Sequence, residues 1–188
     1  LTLSAAKVYG PKQVGLLWMR PGVTLKANIF GGGQELGLRS GTENVAGVVG
    51  FATALELAQK RRSAEVKRLR KLRENLVKDL KQVFPDMLIS SDMKKSLVSF
   101  LNISFSGIDA ERLVFLLESR GVLVATGSAC AANSGTRSHV LTSIGLSESE
   151  IDGSLRLTLG KLNNDENIKQ AGRLIIEAVR LELERNSR

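Results

Sequence analysis

The 188-residue sequence predicts an α/β chain of two lobes joined by one long helix. Two helical stripes suggest the joint: Val45, Val48, Val49, Ala52 and Leu55 share one face, and Val66, Leu69, Leu72, Leu76, Leu80 and Val83 recur at spacings of three and four. Beyond Pro85, short β-rich runs alternate with short helical ones. Ahead of the helix, residues 29–44 (IFGGGQELGLRSGTEN) are too glycine-dense and irregular for either regular element.

The remaining elements follow in chain order. Residues 14–19 (VGLLWM) read as a buried strand leaving a Tyr-Gly-Pro turn. "MLIS" and residues 97–105 (LVSFLNISF) read as strands, after which Asp109 caps a helix that ends at Gly121. Residues 122–125 (VLVA) suggest a short strand, followed by the small-residue loop "TGSACAANSGT" and a short helix around His139–Ile144. Residues 154–160 (SLRLTLG) form a strand, and an amphipathic helix from about Asn164 to Glu184 closes the pattern.

Composition excludes several functions. No apolar run is long enough to span a membrane, and no charged-then-apolar leader heads the chain. The single Cys130 rules out an internal disulfide framework and suits a reducing cytoplasm. One cysteine and one histidine, His139, do not make a zinc site, so no metal is expected. The net charge of +8 is concentrated in residues 60–73, which hold eight Lys/Arg against Glu65. The stripe of leucines on the same segment makes this run the wet side of a helix. No aromatic residues interleave with the charges, as they would on a stacking platform for nucleic acid.

Four places could carry chemistry. Lys7, before a rigid Gly-Pro turn, could face a cavity and form a Schiff base with a carbonyl compound, although the local pattern alone fits a surface lysine. Cys130 is either a buried apolar thiol or a nucleophile on a mobile loop. Arg156 projects from its strand opposite Leu155, Leu157 and Leu159, an arrangement suited to a carboxylate or to a plain surface ion pair. The glycine loop 31–42 permits close backbone approach and offers donors suited to phosphate.

A lysine before "YGPK", then "GGGQELGLRSGT", then "GSAC" about ninety residues later, then "SLRLTLG", occur here in one order. That order resembles the C-terminal half of the cysteine desulfurases, pyridoxal-phosphate enzymes of the class V aminotransferase family. The resemblance implies a fold type I aminotransferase-like architecture. Residues 1–60 would end a large cofactor-binding domain, and residues 61–188 would form a linking helix and a small α+β domain of three or four strands. By the same resemblance Lys7 would hold pyridoxal 5'-phosphate and Ser4 its phosphate. Thr42 would reach the cofactor phosphate of a partner subunit in a homodimer. Arg156 would clamp the carboxylate of the substrate L-cysteine, and Cys130 would take its sulfur as a persulfide, releasing L-alanine.

The resemblance further implies a cytoplasmic enzyme that passes sulfur to an acceptor or iron–sulfur scaffold protein, or to tRNA thiolation, without binding membrane or nucleic acid directly. Ala6 stands where the family places a histidine before the lysine. The family's ring-stacking histidine and its aspartate for the pyridine nitrogen precede the lysine and lie outside this chain. The isolated chain is therefore expected to have little or no activity. Two other readings are a selenocysteine lyase-like enzyme, and a non-catalytic module that binds tRNA or an acidic partner through residues 60–73.

Overall fold

A computed structural model describes residues 1–127 and 137–187. The chain divides into two compact units, Leu1–Ser63 and Ala64–Arg188.

In the first unit, β1 (Thr2–Ser4) pairs antiparallel with β2 (Gly15–Leu17), with Thr2 opposite Leu17 and Ser4 opposite Gly15. A 3-10 turn, Ala5–Val8, follows β1 and ends at Tyr9 in the left-handed region. Its core is small: Ala5, Val14 and Phe51 are buried, with Val8 and Leu55 packed on them. The strand expected to be buried is instead open: Leu16, Leu17 and Trp18 are all exposed. The physical reason is that β2 pairs only with β1 in a two-stranded ribbon, and no second layer among the described residues of this unit covers it.

The helix α1 runs without a break over Val45–Val83. Asn44 starts it, its side-chain oxygen accepting from the Gly47 N–H at 3.0 Å. The face it packs in the first unit is not the valine stripe. Val45, Val48 and Val49 are exposed, while Gly47, Phe51 and Ala54 are buried. Small residues decide this choice, because a Cβ on Gly47 would lie 2.5 Å from Val14 and one on Gly50 would lie 2.7 Å from Pro11. Close approach of the helix backbone to the Val14 and Pro11 side chains wins over the larger apolar side chains of the helix.

The second unit is built on a three-stranded antiparallel sheet in the order β3 (Leu88–Ile89), β4 (Phe100–Ser104), β5 (Ser154–Thr158). One face is apolar: Leu101, Ile103, Leu155 and Leu157 are buried in one core with Leu69, Leu72, Leu76 and Leu80 of α1. The same core takes Leu113 and Leu117 from α2 (Ala110–Glu118), and Ile175 and Val179 from α5 (Asp165–Asn186). Asp109 caps α2, accepting from Glu111 N–H at 2.9 Å, and Gly121 past its end has φ 80°. Two short helices, α3 (His139–Ser143) and α4 (Glu148–Asp152), precede β5. The sequence reading passed over α4, although Ser147 and Glu150 form a capping box at its start.

Residues 122–125 are not a strand; only Ala125 pairs, in an isolated bridge to Arg156. Leu123 is exposed, so the run lacks the half-buried setting that sustains a strand.

The basic run divides into two kinds of side chain. Lys60, Arg61, Arg62, Lys67, Arg70 and Lys71 are exposed. Arg68 and Arg73 turn inward. Arg68 pairs with Glu65 at 2.7 Å and donates to the carbonyls of Gly160 and Asn163. Arg73 is fully buried and gathers the 93–100 loop, donating to the carbonyls of Met93 at 2.6 Å, Leu97 at 3.2 Å and Phe100 at 3.4 Å, and to Ser96 Oγ at 3.0 Å. Burial holds its guanidinium below the usual arginine range. In the same unit, buried Glu182 is pushed up by desolvation. Hydrogen bonds from Arg112 and Arg185, each at 3.0 Å, outweigh that effect and leave it below the ordinary glutamate value.

Candidate functional site

Ser4 and Lys7 come together on one turn of backbone. Ser4 ends β1 and stands at the start of the 3-10 turn, with its hydroxyl not used to cap it. Lys7 lies within that turn and is exposed, one residue after the exposed Ala6. Ser4 itself is extended (φ −115°, ψ 129°), so the two residues flank the corner where β1 passes into the turn. The turn is held from behind: Ala5 N–H donates to the Val14 carbonyl at 3.0 Å, and Gly10 N–H returns to the Ala5 carbonyl at 2.8 Å.

Thr42 is exposed just ahead of α1, at the end of the glycine loop. The loop is braced across itself. Gly41 N–H donates to Gln34 Oε1 at 3.0 Å, and Gly33 N–H to the buried Ser40 Oγ at 3.3 Å. Gly41 has φ 122°, a conformation that excludes a side chain without strain. The sequence reading named Thr42 and the glycines but missed Gln34 and Ser40, whose polar side chains replace the missing regular pairing.

Arg156 belongs to the other unit, on the polar face of β5. Its backbone is locked on both sides: Arg156 N–H donates to Ala125 O at 2.6 Å, and Ala125 N–H returns to Arg156 O at 3.2 Å. The side chain is half-buried, and its Nε is fully buried with no hydrogen-bond partner among the described residues. A buried donor without an acceptor costs about 1–3 kcal/mol, so the position favours a ligand that supplies one. Arg156 lines an open cleft of about 1270 Å³ together with Asn102, Thr126, Gly127, Arg137 and His139.

The cleft also carries the carboxylates of Asp109, Glu111, Glu148 and Asp152, but the residue directly opposite Arg156 on the sheet is neutral. That residue is Asn102, set there by the β4–β5 register. Asn102 Oδ1 accepts from Ser90 Oγ at 2.5 Å and from Ser154 Oγ at 3.0 Å. At the rim, Arg137 makes a two-pronged pair with Asp152, at 2.7 Å and 2.8 Å, and holds its carboxyl below the usual aspartate range. His139 begins α3 there. Cys130 lies outside the described residues.

The family profile of aminotransferase class V matches residues 1–171. The chain belongs to the aminotransferase class-V family. Among its class-V relatives are a cysteine desulfurase IscS 1 of Archaeoglobus fulgidus, 43% identical over 168 residues, and a cysteine desulfurase IscS of Clostridium botulinum, 44% identical over 170 residues. Each match takes in 89% of this chain, but only 44% and 43% of the relative. This class-V chain therefore spans less than half the length of those curated relatives. A solved NifS-like protein superposes with a TM-score of 0.84 at 36% identity, over 96% of this chain and 46% of that one. A structure of SspA in complex with cysteine matches with a TM-score of 0.56 at 35% identity, over 84% of this chain and 43% of that one. The class-V fold accounts for the mixed architecture, including the sheet that carries Arg156.

Proposed function

We propose that the protein containing this chain is a cysteine desulfurase, taking sulfur from L-cysteine and releasing L-alanine. The observation that carries the reading is the buried Nε of Arg156, which has no hydrogen-bond partner among the described residues and stands opposite the neutral Asn102. A guanidinium so placed is suited to a two-pronged grip on the α-carboxylate of an amino acid. The named relatives and the cysteine-bound SspA neighbour support cysteine as that amino acid.

Ser4 and Lys7 fit the two ends of pyridoxal 5'-phosphate: an uncommitted hydroxyl for the phosphate, and an exposed amine for the aldehyde. Ala6 adds no donor, so the phosphate relies on Ser4 and, in a homodimer, on Thr42 of the neighbouring subunit. When bound, the cofactor supplies an electron sink for the substrate's Cα. Residues 1–63 contain no aspartate, so the partner that tunes the ring nitrogen is not among them. The 188-residue chain alone is accordingly proposed to turn over little.

Arg156 orients the substrate by its carboxylate. The Cys130 thiolate attacks the substrate sulfur: an S–S bond forms, the substrate C–S bond breaks, and its electron pair stays with carbon, which gains a proton. The products are alanine and a Cys130 persulfide, whose outer sulfur passes to an acceptor or iron–sulfur scaffold protein. A cytoplasmic setting agrees with the lone cysteine. Among the described residues no helix is long and apolar enough to cross a membrane.

The test is amino-acid analysis of the product of the open reading frame carrying this chain, supplied with pyridoxal phosphate. Alanine should form from L-cysteine faster than from L-selenocysteine. A clear preference for selenocysteine would replace the desulfurase reading with a selenocysteine lyase.

A further inference from the structure

Arg156 can grip a ligand carboxylate only while no carboxylate of the protein neutralises it. The residue best placed to do so is the one directly opposite on β4, and there the register puts Asn102. Directly opposed side chains have Cβ atoms about 4.5–5.5 Å apart, well within reach of a guanidinium. Ser154 confirms the shared face: it precedes Arg156 by two residues on β5, and its hydroxyl reaches Asn102.

The carboxamide is also oriented. Its oxygen takes protons from Ser90 and Ser154, which fills both lone pairs. Its Nδ2 faces the Leu155 carbonyl at 3.4 Å, so a flipped amide would set oxygen against oxygen. Asn102 therefore keeps its oxygen turned from Arg156, whose Nε has no acceptor among the described residues.

We propose that Asn102 is a specificity-determining, positioning residue. Neutral itself, and held by Ser90 and Ser154, it keeps the Arg156 guanidinium available for a ligand carboxylate. The proposal rests on the reading of Arg156 as the carboxylate site. Aspartate, nearly identical in shape, would quench the site from within.

The experiment follows the Arg156 Nε–H signal by nuclear magnetic resonance of the 15N-labelled chain. The probes are L-cysteine and cysteamine, which lacks the carboxylate. In Asn102→Asp without ligand, the introduced carboxyl should titrate below the usual aspartate range and move the Arg156 signal as it does so. In an added Arg156→Gln background that depression should vanish. The wild-type signal should respond to L-cysteine and not to cysteamine. Asn102→Asp should need at least about tenfold more L-cysteine for the same response. Ser154→Ala, which frees the amide oxygen, should weaken the response several-fold without charge change.

An ordinary titration of the introduced carboxyl, with a static Arg156 signal, overturns the proposal. So does an L-cysteine response equal in wild type, Asn102→Asp and Ser154→Ala. Coupling between the two side chains without any wild-type response to L-cysteine overturns the carboxylate reading of Arg156, and with it the role given to Asn102.

Discussion

Replacing Arg156 by glutamine in the product of the whole open reading frame is expected to lower kcat/KM for L-cysteine by about 10²–10³-fold. Removing one partner of a desolvated charge pair costs roughly 2–5 kcal/mol, and each 1.4 kcal/mol is a factor of ten. The substituted amide keeps one donor but neither the charge nor the fork. Arg156→Lys keeps the charge and loses the planar pair, so it should fall between glutamine and wild type. Because the contact is made with the bound substrate, much of the loss should appear as a raised KM. Steady-state alanine formation measures both constants. A loss below about threefold in Arg156→Gln would show that the carboxylate is held elsewhere.

The second large effect concerns stability. Arg73→Met should destabilise the chain by about 3 kcal/mol, read as a lower midpoint in urea unfolding with an unchanged slope. Methionine fills much of the same space, so the loss comes chiefly from hydrogen bonds. The carbonyls of Met93, Leu97 and Phe100, and the Ser96 hydroxyl, all lose the cation that gathers them. Some of these groups regain water, which keeps the loss below the sum of four buried bonds. Amide exchange should quicken first in residues 93–100, the segment that leads into β4. A change under about 1 kcal/mol would mean that the loop holds itself.

Arg73 also shows where the sequence stopped being legible. It sits in a run of eight basic residues, and nothing local separates it from Arg70 or Lys71. The helical period distinguishes it in principle, since Leu72, Leu76 and Leu80 flank it on the buried side. What cannot be read locally is the loop that supplies its acceptors, 20 to 27 residues further on. The run as a whole was still legible, because its exposed members oppose the leucine stripe.

The strand around Arg156 was read with little loss. Strict alternation placed Leu155, Leu157 and Leu159 inside and Arg156 on the other face, and all three leucines are buried. Period two is a local property and needs no knowledge of partners. Asn102 was missed because its role depends on register with a strand 54 residues away. One signal was available: an asparagine interrupting the apolar run "FLNIS" must find partners if it is buried. The first helical stripe gave its helix, and the packing face within the first unit is what a count of side chains did not give. Counting large side chains favoured the valines, whereas packing followed the small residues Gly47 and Gly50.

The central claim is that sulfur from L-cysteine comes to rest on Cys130. Cleavage after Arg120 and Arg137 releases residues 121–137, a peptide in which Cys130 is the one cysteine, so sulfur on it is assigned directly. The measurement is mass analysis of that peptide after the open-reading-frame product, loaded with pyridoxal phosphate, meets L-cysteine without an acceptor. The account predicts one added sulfur atom on Cys130, lost on reduction. It predicts no such gain in Lys7→Ala, and no alanine from Cys130→Ala. Alanine formed at an undiminished rate by Cys130→Ala, with no sulfur on the Cys130 peptide of the unaltered protein, would contradict it.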